Sequence, residues 1–280
     1  MYEIPVASRP PQTTKSADGT TIAFDVYAPE SAEGPVVVVI GGATAQRLDG
    51  TGLAQALAAE GCLGVVYDRR GRGDSTDTAP YAVQREVEDI EAVIEAVRPG
   101  GRAVLAGFSS GAALALQAAA AGAPVSGVAP FEPPYRLADS PPLPADYTTT
   151  LERLTAAGDN DGAFEYFQLK AVGLPQETVE EFRASPMWAH FTAVAPTLAY
   201  DGHCLGGDDH SLPTDLIGRI DVPLLALAST GSPPFLRKPA AAVAEAAAQG
   251  SFELLEGEFH TAPDATIAAR LATFVTGLPG

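Results

Sequence analysis

The sequence predicts an α/β fold with a mostly parallel central sheet that is flanked by helices. Runs of aliphatic and β-branched residues, typical of strands buried on both faces, alternate with Ala- and Leu-rich helical segments. This alternation stops at residue 133, where only helical patterns follow, and it resumes after residue 218. We therefore predict one α/β core formed by residues 1–132 and 219–280, into which residues 133–218 are inserted as a helical cap.

The N-terminal part predicts a hairpin followed by a buried strand. Asp18-Gly19 separates residues 13–16 from residues 21–28 and supplies the positive φ angles that a tight turn needs. The uninterrupted apolar run 36–40 is then the first parallel strand. Strands and helices alternate beyond it, with strands predicted at residues 63–67, 103–108 and 125–131 and helices at residues 52–60, 83–97 and 112–121.

Residues 133–218 contain Pro-rich connectors and short helical patterns, and no convincing strand. The helices predicted there cover residues 147–157, 162–172, 176–184 and 187–198. The C-terminal part then returns to the α/β pattern, with strands predicted at residues 222–229 and 252–256 and helices at residues 237–249 and 263–276.

The charge of the chain excludes whole classes of partner. Its 280 residues include 17 Lys and Arg against 35 Asp and Glu, a net charge of −18, which repels nucleic acids and anionic membranes. Apolar runs are too short to span a bilayer, and residues 1–11 lack a basic-then-apolar targeting signal. We therefore expect a soluble, cytoplasmic monomer or homodimer whose partner is a small molecule.

The cysteines and the cap histidines do not predict a metal site. Cys62 and Cys204 are too few for a disulfide framework and match no C-x-x-C spacing. Metal-ligand residue types do cluster in one place, at His203, Cys204, Asp208, Asp209 and His210. Neither their spacing nor their mixture matches a standard site, so we interpret the cluster as a solvated hinge between cap and core. We expect no metal and no organic cofactor.

The most specific motif is Gly107-Phe108-Ser109-Ser110-Gly111, which stands between a buried strand and an Ala-rich helix. G-x-S-x-G in that context forms a tight, strained turn that exposes the central hydroxyl above the sheet edge. The motif arises easily in a chain rich in Gly, Ser and Ala, but the strand-turn-helix context favours a nucleophile over a structural turn. We predict that Ser109 is the nucleophile and that Ser110 contributes its backbone N–H.

A serine nucleophile needs a base, and His260 has the best position for it. It follows the strand at residues 252–256 by a short loop, which returns it to the sheet edge where Ser109 lies. An ordinary loop histidine is the alternative interpretation. The other three histidines fall in the predicted cap, at positions 190, 203 and 210.

These features together resemble the α/β-hydrolase superfamily, over nearly the whole chain. The matching parts are residues 36–42, 68–75, 107–111 and 257–260 and the helical insertion. The segments Phe131-Glu132-Pro133-Pro134 and Ser232-Pro233-Pro234 resemble those of a group of small esterase-like hydrolases common in actinobacteria. The resemblance implies the α/β-hydrolase fold and a serine hydrolase that cleaves a carboxylic ester, lactone or thioester of an apolar small molecule through an acyl-enzyme.

The chain departs from the superfamily at the acid of the catalytic triad. The usual Asp follows the strand predicted at residues 222–229, where Thr230-Gly231-Ser232 cannot ionise near neutral pH. Glu132 ends the strand after the nucleophile helix, and its tip should face the same sheet edge. It resembles the alternative acid of zearalenone lactonases and of some haloalkane dehalogenases. We therefore predict a Ser-His-Glu triad with Glu132; the alternatives are a solvated Glu132 and another acid among Asp264, Asp208 and Asp209.

An oxyanion hole needs two convergent N–H donors, and Gly41-Gly42-Ala43 follows the first parallel strand, where the second donor belongs. We predict the amides of Ala43 and Ser110, with Gly42 as the next choice, against the alternative of a structural glycine turn. The superfamily often has His-Gly here. Gly41 replaces that His and removes a side chain that commonly braces the loop.

Two further groups of residues have structural and functional interpretations. For the three arginines of Asp68-Arg69-Arg70-Gly71-Arg72-Gly73-Asp74, we favour local salt bridges that fix a turn over an anion pocket. Most cap aromatic residues should form the core of the cap, because aromatic residues at helical spacing usually pack together. We predict that Trp188, Phe191 and Phe108 contribute to a substrate pocket.

A second class of function stays open at this point. The same fold occurs in non-hydrolytic proteins, such as ligand-binding receptors and biosynthetic cyclases or lyases, and fold alone does not decide between them. The missing acid at Gly231 favours that alternative. Turnover of any simple ester discriminates between the two classes. Serine rather than aspartate at position 109 disfavours dehalogenase and epoxide-hydrolase chemistry.

Overall fold

The computed structural model describes residues 9–279 and has a single sheet of eight strands within them. The strands are β1 (Gln12–Lys15), β2 (Thr21–Tyr27), β3 (Val36–Ile40), β4 (Leu63–Tyr67), β5 (Ala103–Phe108), β6 (Val125–Phe131), β7 (Leu224–Ser229) and β8 (Gly250–Leu255). Their order across the sheet is β1-β2-β4-β3-β5-β6-β7-β8. The β1–β2 and β2–β4 pairs are antiparallel and all others are parallel, which confirms the predicted fold class.

Helices connect the strands and cover both faces of the sheet. They are α1 (Thr51–Ala59), α2 (Val83–Val97), α3 (Ser110–Ala120), α4 (Tyr147–Ala156), α5 (Asn160–Phe167), α6 (Gln176–Arg183), α7 (Met187–Thr192), α8 (Leu198–Cys204), α9 (Thr214–Ile217), α10 (Pro234–Ala246) and α11 (Asp264–Thr276). Shorter 3₁₀ turns occur at Arg47–Gly50 and Ala195–Thr197, and a π turn at Gln168–Val172. Within residues 9–279, no helix has the length and apolarity to cross a membrane.

The alternation of side chains along β3 explains the two layers of the core. Val36, Val38 and Ile40 face the side covered by α2, α3 and α10, whereas Val37 and Val39 face α1 and α11. Because both faces are covered, every residue of β3 is buried. This is why the strand appears in the sequence as an uninterrupted apolar run rather than an alternating one.

The chain between β6 and β7 forms the helices α4 to α9, and we call residues 133–218 the helical segment. Its apolar residues make a third core of their own, in which the Phe164 ring lies 4.9 Å from the ring of Trp188 and 5.6 Å from that of Phe191. The boundaries of the predicted cap remain a prediction. Residues 1–8 lie outside the described part, so the expectation about a targeting signal in residues 1–11 stays a prediction.

Candidate active site

Ser109 lies at the sharp turn between β5 and α3. Its φ of 56° and ψ of −124° are rare for a residue with a side chain. Close packing around the turn explains the two glycines of the motif. A Cβ on Gly107 would lie 2.3 Å from the Gly111 carbonyl oxygen, and one on Gly111 would lie 2.4 Å from the Ile40 carbonyl oxygen. The Ser109 amide donates to the Phe131 carbonyl at 3.0 Å, which ties the turn to the end of β6.

His260 lies in the loop between β8 and α11, at the same edge of the sheet. Its backbone also has a positive φ, 56°, and its N–H donates to the hydroxyl of Ser232 at 2.8 Å. The imidazole is partly exposed, at 29 %. Because β5, β6, β7 and β8 are parallel, the residues that follow these strands meet at one edge.

Glu132 follows β6 directly and is completely buried between the ends of its neighbours. Its Oε2 lies 2.5 Å from Nδ1 of His260, and its Oε1 accepts a hydrogen bond from the Ser229 N–H at 2.7 Å. A buried carboxylate is stable only when such donors replace its lost water. The structure therefore brings together the predicted base and the predicted acid.

The turn after β7, where the superfamily usually has its acid, instead holds the Glu132 carboxylate in place. The Ser229 amide binds the carboxylate of Glu132, and the Ser229 hydroxyl donates to the Glu258 carbonyl at 2.6 Å. A Cβ on Gly231 would lie 2.5 Å from the Gly257 carbonyl oxygen, so the histidine loop leaves no room for a side chain there. The sequence does not indicate these supporting roles, because the turn carries no ionisable group that would mark it.

The alternative acids have other surroundings. Asp208 accepts hydrogen bonds from the amide and the hydroxyl of Thr149, at 3.0 and 2.7 Å. Asp209 binds a hydroxyl two residues further along the chain. Asp264 begins α11, and burial raises the pKa of its carboxyl group. Within residues 9–279, Glu132 is the carboxylate that binds the His260 ring.

The loop after β3 lies against the predicted nucleophile. A Cβ on Gly42 would lie 2.8 Å from Cβ of Ser109 and 3.5 Å from its Oγ, so only glycine permits this approach. Ser110 is the first residue of α3, where backbone N–H groups have no partner within the helix. Within the described residues, the amides of Ala43 and Ser110 have no acceptor in the protein. Both are therefore available as donors.

The sequence profile of the alpha/beta hydrolase family matches residues 37–266. The chain belongs to this family. An alpha/beta hydrolase from Sphaerobacter thermophilus is 43% identical, with 94% of this chain and 100% of that chain covered and a TM-score of 0.84.

More distant structures share the fold of this hydrolase-family chain. An esterase from Exiguobacterium antarcticum is 19% identical, covers 95% of this chain and 100% of its own, and has a TM-score of 0.70. A thermophilic esterase from Thermogutta terrifontis is also 19% identical, with coverages of 95% and 96% and a TM-score of 0.66. No curated protein matches the chain.

The three arginines after β4 are completely buried and bind partners far away in the chain. Two nitrogens of Arg69 bind the carboxylate of Glu86 in α2, each at 2.6 Å. Arg69 and Arg72 both bind Asp201 of α8, at 2.6 and 2.8 Å. Burial alone would raise the pKa of Glu86, but Arg69 holds it below its ordinary value.

The prediction that these arginines form salt bridges within their own loop is therefore wrong. Asp68 and Asp74 bind Arg47 instead, at 2.6 and 2.7 Å. Arg47 comes from the 3₁₀ turn before α1, so these ion pairs join the loops after β3 and β4. Spacing along the chain does not contain this information, because the partners meet only in the folded protein.

A cleft of about 200 Å³ lies between the loop after β3, α1 and α11. Its walls include Gly42, which precedes Ala43, and Phe108, which precedes Ser109. Of the predicted pocket residues, Phe108 lines this cleft, whereas Trp188 and Phe191 pack in the core of the helical segment.

The polar cluster at the end of the helical segment is divided among separate environments. His203 binds Glu152 at 2.7 Å, and Cys204 is buried against Arg69. Burial, reinforced by the positive charge of Arg136, lowers the pKa of His210 to about 4. Within residues 9–279, no three His, Cys, Asp or Glu side chains are arranged to hold a metal ion.

Proposed function

We propose that the protein is a serine hydrolase that cleaves a carboxylic ester or lactone of an apolar small molecule through an acyl-enzyme. The observation that carries this proposal is the 2.5 Å contact between the buried Glu132 carboxylate and the His260 ring, at the sheet edge that also holds Ser109. A carboxylate that accepts from Nδ1–H fixes the tautomer of the imidazole and leaves the lone pair on Nε2. The ring can then act as a general base.

In the proposed reaction, the Ser109 hydroxyl attacks the carbonyl carbon and passes its proton to Nε2 of His260. Glu132 stabilises the imidazolium, and the amides of Ala43 and Ser110 bind the oxyanion, with Gly42 as the next choice of donor. The imidazolium then protonates the departing alcohol. Water, deprotonated by the same ring, releases the acid and restores the serine. Each step uses only protein groups and water.

The substrate class rests on several supports of different kinds. Two solved structures that share the fold are esterases by name. The position of Glu132, after the strand that follows the nucleophile helix, resembles that of the triad acid in zearalenone lactonases. Lactones and thioesters react by the same acyl chemistry as esters. We further propose that residues 133–218 cap the sheet edge and that Phe108, which lines the cleft, contacts the substrate. Trp188 and Phe191 pack in the core of the helical segment, and we propose that they shape the cap side of the pocket from there.

The alternative of a non-hydrolytic protein depended on a missing acid at Gly231. Glu132 supplies a carboxylate against His260 from a different strand, so that observation no longer favours the alternative. Hydrolysis is therefore the function that the site supports best.

The test is steady-state turnover of p-nitrophenyl esters of increasing acyl length and of γ- and δ-lactones. The wild-type protein should hydrolyse members of this panel, and Ser109→Ala should lose at least about 10³-fold in kcat, because no other group can form the acyl-enzyme. Ser110→Ala keeps its backbone N–H and should lose far less. Equal turnover by wild type and Ser109→Ala would remove the assignment. A folded wild-type protein that hydrolyses nothing in the panel would favour the non-hydrolytic class.

A further inference from the structure

Arg72 is a completely buried side chain, and each nitrogen of its guanidinium group has an acceptor. Nε donates to the hydroxyl of Thr197 at 2.9 Å, and Nη2 donates to Asp201 at 2.8 Å. Nη1 donates to the carbonyl of Gly42 at 2.6 Å and more weakly to that of Ala45 at 3.3 Å. Arg72 therefore joins the loop after β3 to the helical segment.

The contact with Gly42 has a chemical consequence for its neighbour. The Gly42 carbonyl and the Ala43 N–H belong to one planar peptide unit, and in a trans peptide the two groups point in opposite directions. A hydrogen bond from a cation to the carbonyl withdraws electron density from the unit and strengthens its N–H as a donor. It also fixes the plane of the peptide. The Ala43 N–H is the proposed oxyanion donor on this loop.

Asp201 connects the second half of the proposed oxyanion hole to the same guanidinium. Its Oδ2 binds Arg72, and its Oδ1 accepts from the Ser110 hydroxyl at 2.8 Å and from Arg69 at 2.6 Å. Ser110 carries the other proposed donor. Burial alone would raise the pKa of Asp201, but Arg72 and Arg69 hold it below its ordinary value. One ionised carboxylate thus connects Ser110 with Arg72, and through Arg72 with the Gly42–Ala43 peptide.

The sequence gives a reason why this chain needs such a brace. Gly41 has no side chain, so the loop cannot brace itself at that position. Backbone carbonyls of the loop bind Arg72 instead. The bracing comes from outside the loop.

We propose that Arg72, held by Asp201, is a positioning residue that orients and polarises the Gly42–Ala43 peptide for oxyanion binding. This inference rests on the function proposed above. Arg72 touches neither nucleophile nor substrate in this mechanism, and it acts through the peptide that it binds. Its loss should therefore weaken binding of the tetrahedral state more than binding of the ester itself.

The experiment compares Arg72→Lys with Arg70→Lys. Lysine keeps the charge but cannot reach Gly42, Thr197 and Asp201 together, because it lacks the planar fork of the guanidinium group. Arg70 is an equally buried control on the same loop, and it binds Asp89 through two bonds of 2.8 Å. Each variant is measured for thermal unfolding, for kcat and KM on a p-nitrophenyl ester, and for inhibition by an aryl trifluoromethyl ketone.

Arg72→Lys should lower kcat by about 10- to 100-fold with KM within about threefold of wild type, because removal of a whole oxyanion donor costs about 10²- to 10³-fold. Affinity for the trifluoromethyl ketone, whose serine adduct carries an oxyanion, should fall by a similar factor. Arg70→Lys should lose stability yet keep kcat within about threefold. Asp201→Asn keeps the shape of the carboxylate and should show the same pattern as Arg72→Lys. It provides the measurement if Arg72→Lys does not fold.

The outcomes separate this inference from the proposed function. Wild-type kcat and ketone affinity in folded Arg72→Lys or Asp201→Asn would overturn this inference alone. An equal loss of kcat in Arg70→Lys would also overturn it, because the effect would then follow from general destabilisation. A wild-type protein without ester turnover overturns the proposed function and this inference together.

Discussion

Ser109, Glu132 and His260 each have a positive φ, which residues with a side chain rarely adopt, with values of 56°, 45° and 56°. Thr44, beside the proposed donor Ala43, has a φ of 63°. Such conformations cost about 1–3 kcal/mol each and persist where their surroundings fix them, most often at functional sites. Their concentration here is a physical reason, independent of any motif, to place the reaction at this edge.

His210 also has a positive φ, 52°, and the titration of its side chain leads to a prediction about stability. Burial, followed by the charge of Arg136, lowers its pKa to about 4, while Asp208 and Asp209 act in the opposite direction. An unfolded histidine titrates near pH 6.5, so between about pH 6.5 and 4 the unfolded state binds more protons. Stability should therefore fall as the pH falls through this window.

The variant His210→Asn tests this pKa shift, because asparagine tolerates a positive φ and does not titrate. Urea unfolding is measured at pH 7 and pH 5 for both proteins. Between these pH values the wild-type free energy of unfolding should fall by about 1–2 kcal/mol more than that of the variant. An identical fall in both proteins would show that His210 does not titrate abnormally.

At the scale of elements, the turn after β7 and the loop after β8 fit together without space for a side chain at Gly231. We predict that Gly231→Ala costs about 1–3 kcal/mol of stability, because its Cβ would lie 2.5 Å from the Gly257 carbonyl oxygen. Gly277→Ala is the control, since the nearest atoms to a Cβ there are 3.5 Å away, an ordinary contact. Thermal unfolding measures both. Equal melting temperatures for the two variants would contradict this description of the loops.

The central strands could be predicted from the sequence to the residue, because strands buried on both faces are uninterrupted apolar runs with clear ends. The predictions 36–40, 63–67, 103–108 and 125–131 coincide with β3, β4, β5 and β6. Helix α10 begins at Pro234 rather than at residue 237, because proline is tolerated in the first helical turn. Helix α8 is not predicted, since Asp201-Gly202 has low helix propensity; in the fold, buried residues of the segment, Asp201 among them, make tertiary contacts that stabilise it.

The site, like the fold, could be predicted from the sequence only in part. A sequence motif identified Ser109, and topology identified His260 and Glu132 as candidates, because residues after parallel strands meet at one edge. The contacts of Ser229 with Glu132 and of Asp201 with Ser110 join residues that are 97 and 91 positions apart. No local pattern contains such pairs. The same holds for Arg69 and Asp201, 132 positions apart.

At the scale of the whole molecule, the acidic character of the chain bears on the substrate. The net charge is −18, whereas the buried arginines are balanced by carboxylates inside the protein. The negative charge in excess therefore acts outward and repels anions. A neutral ester or lactone fits the proposed site better than an anionic one. The ion pairs of Asp201 also tie the helical segment to the loop after β4.

The most direct test of the proposed Ser-His-Glu triad is the rate at which a fluorophosphonate labels the protein, with the modified residue identified by peptide mapping. This measurement needs no knowledge of the substrate. Wild type should be labelled on Ser109, and Glu132→Gln should remain folded yet react about 10³- to 10⁴-fold more slowly, because an amide does not stabilise the imidazolium. Glu256→Gln, an exposed glutamate near the histidine loop, should react like wild type. Labelling on another residue, or equal rates for wild type and Glu132→Gln, would contradict the account.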